Sequence, residues 1–293
     1  MPLQLLTAPT AEPVSLVQAK THLRIVDTSE DALVAGLIVA ARAMCENRTQ
    51  RSLVVSRWKL VGDSFPGVGL TGVPYGAMYT LPGHAITLPW GAVLQVVSIT
   101  YLDMSGVRQT MPVADYAVDL ASEPVRITPV FGKIWPIPLP QIGAVEVTFD
   151  SGHIAPISAV DTSADTITLR GWKTLVVGDT LRVQKRDKVT VNDGTLPTPL
   201  ASYTDYYVQS VVSAGVYKLA ATSGGTAIDI TTLGAGDLFV GEIPQNLVSW
   251  MLLAMGTLYE NRESVTVDQR ITSVELPNDF LDGLLAPSRM VTY

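Results

Sequence analysis

Residues 242–263 read EIPQNLVSWMLLAMGTLYENRE, and this stretch decides how the rest of the chain is understood. Pro244 suits a first helical turn, where a missing N–H costs nothing. Leu247, Met251, Ala254 and Leu258 then form one apolar stripe, and Val248, Leu252, Met255 and Tyr259 a second beside it, at helical spacing. A polar stop, Tyr-Glu-Asn-Arg-Glu around Arg262, ends the run, and residues 264–293 hold a shorter second helix. A helix apolar on nearly every side must be buried on nearly every side. Two readings follow. Either it is the central core helix of a monomer, or neighbouring copies complete its burial.

Helical patterns recur at the other end of the chain. Ser15 precedes a short apolar period of Leu16, Ala19 and Leu23, with Gln18 at capping-box spacing. A longer helix runs from about residue 29 to 49. Leu33, Leu37, Ala40, Ala41 and Met44 are expected to face inward, with Cys45 beside them as a small core residue. Ala35, Gly36 and Ala43 add small residues that allow close approach of another helix. Between residues 54 and 150 the period changes to two. Runs at 54–61, 94–101, 107–111, 116–120, 124–128 and 144–149 read as strands of one sheet, with a hairpin turn at 103–106.

From 155 to 240 the composition shifts to Thr, Val, Gly and Asp in short alternating runs, the signature of a compact all-β module. It interrupts the chain between the last sheet strand and the apolar helix, so its ends are expected to lie together. The fold class expected is therefore α+β: a small helical bundle from both chain ends packed with a β-sheet, plus an inserted all-β module. Residues 1–154 and 241–293 form one discontinuous domain and 155–240 the insert.

The chain has 293 residues, a net charge of −7 and 16% charged against 47% hydrophobic residues, with a pI near 4.9. Bulk nucleic-acid binding needs a basic face that this balance does not supply. No run of 18 apolar residues spans a membrane. The single cysteine excludes an intrachain disulfide and a multi-cysteine zinc site. His22, His84 and His153 stand far apart with no metal-ligand spacing, and neither a nucleophile elbow nor a phosphate-binding loop occurs. Glu30-Asp31 sits in a first helical turn, where acids meet the dipole favourably. No enzyme activity, cofactor or metal is expected. Gly67-Val68-Gly69-Leu70-Thr71-Gly72 spells the dinucleotide pattern, but Pro74 and Gly76 prevent the helix that must follow.

Residues 62–83 hold six glycines, three prolines and the one charge of Asp63. Phe65, Leu70, Tyr75, Met78 and Tyr79 make this stretch too apolar for a solvated linker. It reads as a partner-binding segment, or as a loop folded over its own sheet. Arg182, Lys185, Arg186 and Lys188 form the insert's one basic cluster. Seven basic against eight acidic residues in the module favour a solvated strand and turn over a phosphate contact.

Several segments together resemble the head-to-tail adaptor (connector) proteins of tailed bacteriophages. Residues 14–24, Val-Ser-Leu-Val-Gln-Ala-Lys-Thr-His-Leu-Arg, stand where those proteins open, and Glu30-Asp31-Ala32-Leu33 through Ala40-Ala41-Arg42 match their second helix. Tyr259-Glu260-Asn261-Arg262-Glu263, Glu275-Leu276-Pro277 and Leu284-Leu285-Ala286-Pro287-Ser288-Arg289 match their close. The insert resembles a small β module that recurs in phage structural proteins.

The resemblance implies a structural virion protein of the neck, assembled in the host cytoplasm. Its copies would form a homo-oligomeric ring, commonly dodecameric, docked on the portal protein. The ring would extend the DNA channel, let genomic DNA pass without sequence-specific binding, and offer a platform to the next head-completion, stopper or tail protein. No membrane is involved. The implied portal contact is the C-terminal segment, with Val265, Val267, Ile271, Val274, Leu276, Phe280, Leu284, Leu285, Arg289, Met290 and Tyr293. Ring or core contacts fall to Leu247, Met251, Leu252, Met255, Leu258, Tyr259 and Arg262, and the tail side to the loop of Phe65, Leu70, Tyr75, Met78 and Tyr79. A second reading keeps the virion but makes the β insert a carbohydrate or receptor binder, with Trp172, Tyr203, Tyr206 and Tyr207 as a stacking surface.

Overall fold

The computed structural model describes residues 2–66, 85–169, 171–185, 195–260 and 283–290. Packing divides the chain into two compact units, Met1–Ala8 with Val55–Gly152 and Met290–Tyr293, and Pro9–Val54 with His153–Arg289. Helices and antiparallel strands are both present, so the α+β class holds.

In the first unit, β1 (Leu3–Thr7), β2 (Ser56–Gly62), β4 (Val93–Leu102), β5 (Arg108–Thr110) and β8 (Val145–Ser151) form a sheet in the order β1-β2-β8-β4-β5. A second sheet orders β3 (Ile86–Thr87), β7 (Arg126–Pro129) and β6 (Tyr116–Asp119) as β3-β7-β6. The single sheet expected from the periodicity is thus two. Alternation says which face of a strand is apolar, but not which strand it pairs with. β1 was not anticipated either, because Leu-Gln-Leu-Leu-Thr lacks a clean alternation; it pairs antiparallel with β2. On central β8, Val145, Val147 and Phe149 join Leu60, Ile99 and Ile127 in one core. Asp150 is buried in the same strand. Arg57 Nε and Nη2 donate to its two oxygens at 2.7 and 2.9 Å, and Gln95 Nε2 adds a bond of 2.8 Å. A buried carboxylate needs this complete a set of partners.

The second unit contains α1 (Leu16–Leu23), α2 (Asp31–Thr49) and α3 (Gln245–Glu260). Ser15 Oγ accepts the Gln18 N–H at 3.0 Å, so α1 starts on a side-chain cap. The three helices share one hydrophobic cluster, in which Val34, Ile38, Ala41 and Cys45 of α2 meet Leu247, Trp250, Met251 and Met255 of α3. The inward face of α2 is therefore rotated by one residue from the expected one, leaving Leu33 and Met44 exposed. A helix apolar on all sides has no strong phase of its own. Here the buried charges set it: Arg42 donates to Glu12 at 2.7 Å and to Glu46 at 2.9 Å, and Glu46 also accepts the Leu53 N–H at 2.9 Å.

The remaining strands of this unit are β9 (Ile154–Asp161), β10 (Thr166–Leu169), β11 (Thr180–Lys185), β12 (Thr204–Ser213), β13 (Val216–Ala220) and β14 (Leu238–Gly241). They close into a barrel in the order β10-β13-β12-β11-β14-β9. Closure removes the exposed edges that a six-stranded open sheet would carry. Gly241 pairs with Ile154, so the first and last residues of the barrel are neighbours.

Candidate assembly surfaces

α3 is the best-buried helix. Leu247, Met251 and Met255 have no exposure, while Leu252, Leu258 and Tyr259 are half-buried. Each fully buried side chain of this kind contributes about 1.5–3 kcal/mol. The Tyr259 hydroxyl donates to the Glu30 carboxylate just before α2. Arg48 places its guanidinium 5.4 Å from the centre of the Trp250 ring. Asn246, in the first turn of α3, donates through Nδ2 to the Leu284 carbonyl at 2.7 Å and to Ser288 Oγ at 3.0 Å. Leu285 is fully buried in the helical cluster and Leu284 packs against it. Met290 is buried and Arg289 exposed. Val265, Val267, Ile271, Val274, Leu276, Phe280, Tyr293 and Arg262 lie outside the described residues, as do Leu70, Tyr75, Met78 and Tyr79.

Phe65 is buried. Its ring stacks on Trp135 with centroids 4.8 Å apart and planes 8° from parallel, and meets Tyr101 edge-on at 5.9 Å. Trp135 anchors a stretch between β7 and β8 that has no regular structure yet is well tied down. Leu139 N–H donates to the Leu102 carbonyl at 2.8 Å, and Lys133 pairs with Asp115 at 3.1 Å. Around these anchors Phe131, Ile134, Ile137 and Ile142 stand 106%, 84%, 69% and 87% exposed. Four large apolar side chains shown to solvent by a loop tied down in this way make it a candidate interaction surface. Sequence reasoning passed over it, although Trp-Pro-Ile-Pro-Leu-Pro at 135–140 carries the signal: alternating prolines hold a chain extended while it displays apolar residues.

In the second unit, a cleft of about 300 Å³ is lined by Ile154, Phe239, Ile243 and Val248 together with Tyr203, Gln184, Lys185 and Glu242. Of the basic cluster, Arg186 and Lys188 lie outside the described residues. Arg182 donates to both oxygens of Asp205 at 2.7 and 3.0 Å and to Glu242 at 3.0 Å, which neutralises it locally. Tyr206 is buried and its hydroxyl accepts the Ala201 N–H at 2.8 Å, so it is a core residue and not part of a stacking surface. Among the described residues no group of three or more His, Cys, Asp or Glu is placed to hold a metal ion. No described helix is long and apolar enough to cross a membrane.

Residues 13–110 match the family model for the Phage gp6-like head-tail connector protein. The resemblance to phage head-tail connectors stands. The matched part runs from just before α1 through β5, and α3 and the barrel lie beyond it. Two solved chains share the fold across the whole length. One comes from a virion of a native gene transfer agent particle, with a TM-score of 0.52, 16% identity, and 100% of this chain and 97% of that one covered. The other comes from the neck of an empty gene transfer agent particle computed with C6 symmetry, with a TM-score of 0.50, 16% identity and the same coverage. At such identity the likeness is one of fold. No curated protein matches the chain.

Proposed function

We propose that this protein is a structural component of a phage-type neck, a head-to-tail adaptor whose copies form a ring on the portal vertex. The observation that carries this is the connector-family match over α1, α2 and the first sheet strands. It is supported by a fold shared end to end with a chain from a neck computed with six-fold symmetry. In this reading residues 1–154 and 241–293 act as the adaptor body, and 155–240 as an inserted β module within the virion. The ring extends the DNA channel and offers a platform to the next head-completion, stopper or tail protein. A net charge of −7 suits such a channel, because acidic walls repel phosphates and let the genome pass without sticking.

The C-terminal segment 265–293 is the proposed portal contact. Asn246, Leu284 and Leu285 fix its described part to the helical core. The loop 62–83 is the proposed tail-side element, held at one end by Phe65. The test is mass photometry of the chain alone, mixed with a portal ring from the same phage, and after truncation past Glu263. A mass gain of about a dozen chains on the portal, lost on truncation, is the expected result. No association at any ratio would reject the adaptor reading.

A further inference from the structure

Two features of the chain are unexplained by its own packing. The first is the proline-rich loop, residues 131–142. Its inward residues, Trp135 and Pro138, are buried, so Ile134 and Ile137 project outward. Pro136, Pro138 and Pro140 remove three N–H donors from six consecutive positions but keep their carbonyls. The Leu139 N–H is already bonded to Leu102. The loop thus offers branched apolar side chains on an acceptor-rich, donor-poor and preformed backbone. Such a segment loses little entropy on binding, and docks best in an apolar, aromatic-walled groove that supplies donors.

The second is the cleft lined by Ile154, Phe239 and Val248, with Glu242 among its polar residues. Its volume, about 300 Å³, suits a short extended peptide stretch. Tyr203 lines it too, with φ of 60°, in the turn that leads into β12. Gln184 lines the cleft, and its amide nitrogen is shut off from solvent with no acceptor among the described residues. A turn of that amide toward an incoming carbonyl gains a hydrogen bond without breaking one. Lys185 supplies a second donor beside it.

We propose that the loop 131–142 of one copy seats in this cleft of a second copy, with Ile134 and Ile137 against Ile154, Phe239 and Val248 and a proline-flanked carbonyl on Gln184. The proposal rests on the ring reading above and names a surface for it. Loop and cleft are separate patches, so the contact is heterologous: each copy inserts into the next and accepts from the one before, the arrangement that closes a ring.

The test uses the full chain in sedimentation velocity. One variant carries Ile134→Asp with Ile137→Asp. The other carries Gln184→Glu with Tyr203→Gly, since glycine accepts the backbone angle at 203 without strain. Thermal melting checks that both fold. The wild type is expected to form species larger than dimers, and each variant alone to stay monomeric with self-association weakened at least about tenfold. An equimolar mixture of the two variants is expected to stop at dimers, because one intact loop meets one intact cleft and the remaining pair is disabled. Assembly of either folded variant like wild type would overturn the loop–cleft contact while leaving the ring reading standing. A wild type that is monomeric throughout would overturn the contact too, and the portal experiment then judges the ring separately. Flotation with neutral phosphatidylcholine vesicles, lost in the loop variant, would make the loop a membrane contact and reject the proposal.

Discussion

Asn246 Nδ2 lies 2.7 Å from the carbonyl oxygen of Leu284, 38 residues further on, and so ties the start of α3 to the closing segment of the chain. The same nitrogen reaches Ser288 Oγ at 3.0 Å. Asn246→Ala removes both bonds and is expected to cost about 1–2 kcal/mol. Hydrogen exchange over 283–289 should quicken well before the rest of the protein does. Unchanged exchange there would mean that burial of Leu285 alone holds the segment.

Glu46 gives a signed pH prediction. Burial pushes its carboxyl above the ordinary range, outweighing the Leu53 N–H and the Arg42 charge. A raised value in the folded state means that the folded chain holds the proton more tightly. The contribution is full below the unfolded carboxyl value, about 4.3, and lost as pH rises through the folded one. Glu46→Gln also removes a partner of Arg42, so only the pH-dependent part is read: its stability relative to wild type is expected to be higher at pH 7 than below the unfolded value. Urea midpoints for both proteins at the two pH values decide it.

Asp119 works in the opposite direction. Its carboxylate accepts from Ser122 and Arg126, which hold it down to about 2 from an ordinary 3.8. Stability from this group is present above the ordinary value and lost as pH falls through about 2. The Asp119 carboxyl followed by NMR should titrate near that lower value, and Asp119→Asn should flatten the acid limb of the melting curve. A midpoint near the ordinary value would show that the Ser122–Arg126 arrangement does not persist in solution.

Cys45 has no exposure, and burial pushes its thiol up to about 12. Ellman's reagent should therefore fail to label the native protein at pH 8 and label it once on unfolding. The labelling rate then reports opening of the α2–α3 core. Rapid labelling without denaturant would contradict the packing of these helices.

Gly241 closes the barrel at φ of +91°, and a Cβ there would lie 2.2 Å from the His153 carbonyl oxygen. Gly241→Ala is expected to cost more than about 3 kcal/mol, since backbone cannot move aside as a side-chain tip can. A melting temperature close to wild type would mean that β9 and β14 separate easily.

Much of this fold was legible in the chain. The cap at Ser15, the apolar run of α3 and the turn between β4 and β5 are local features, and local chemistry specifies them. The strands of the barrel were found as alternating runs. Its closure was not, because partner choice depends on residues far apart in sequence. The resemblance makes Leu285 a contact residue, whereas it is buried in the helical cluster beside the Asn246–Leu284 bond, a pairing not visible in any pattern. Gln184 and the loop 131–142 went unnoticed for a similar reason: a missing acceptor or an exposed isoleucine exists only once every other group has been placed.

The sequence by itself determined the periods, the caps, the acidic balance and the resemblance to phage connectors, all of which depend on neighbours within a few turns or on composition. Tertiary structure alone decided the phase of α2, the division of the strands into two sheets and a barrel, and which apolar residues remain on the surface. Burial is the physical reason. The free energy of an apolar or charged side chain depends on what surrounds it, and for Met44, Glu46 and Ile137 the surroundings are assembled from distant parts of the chain.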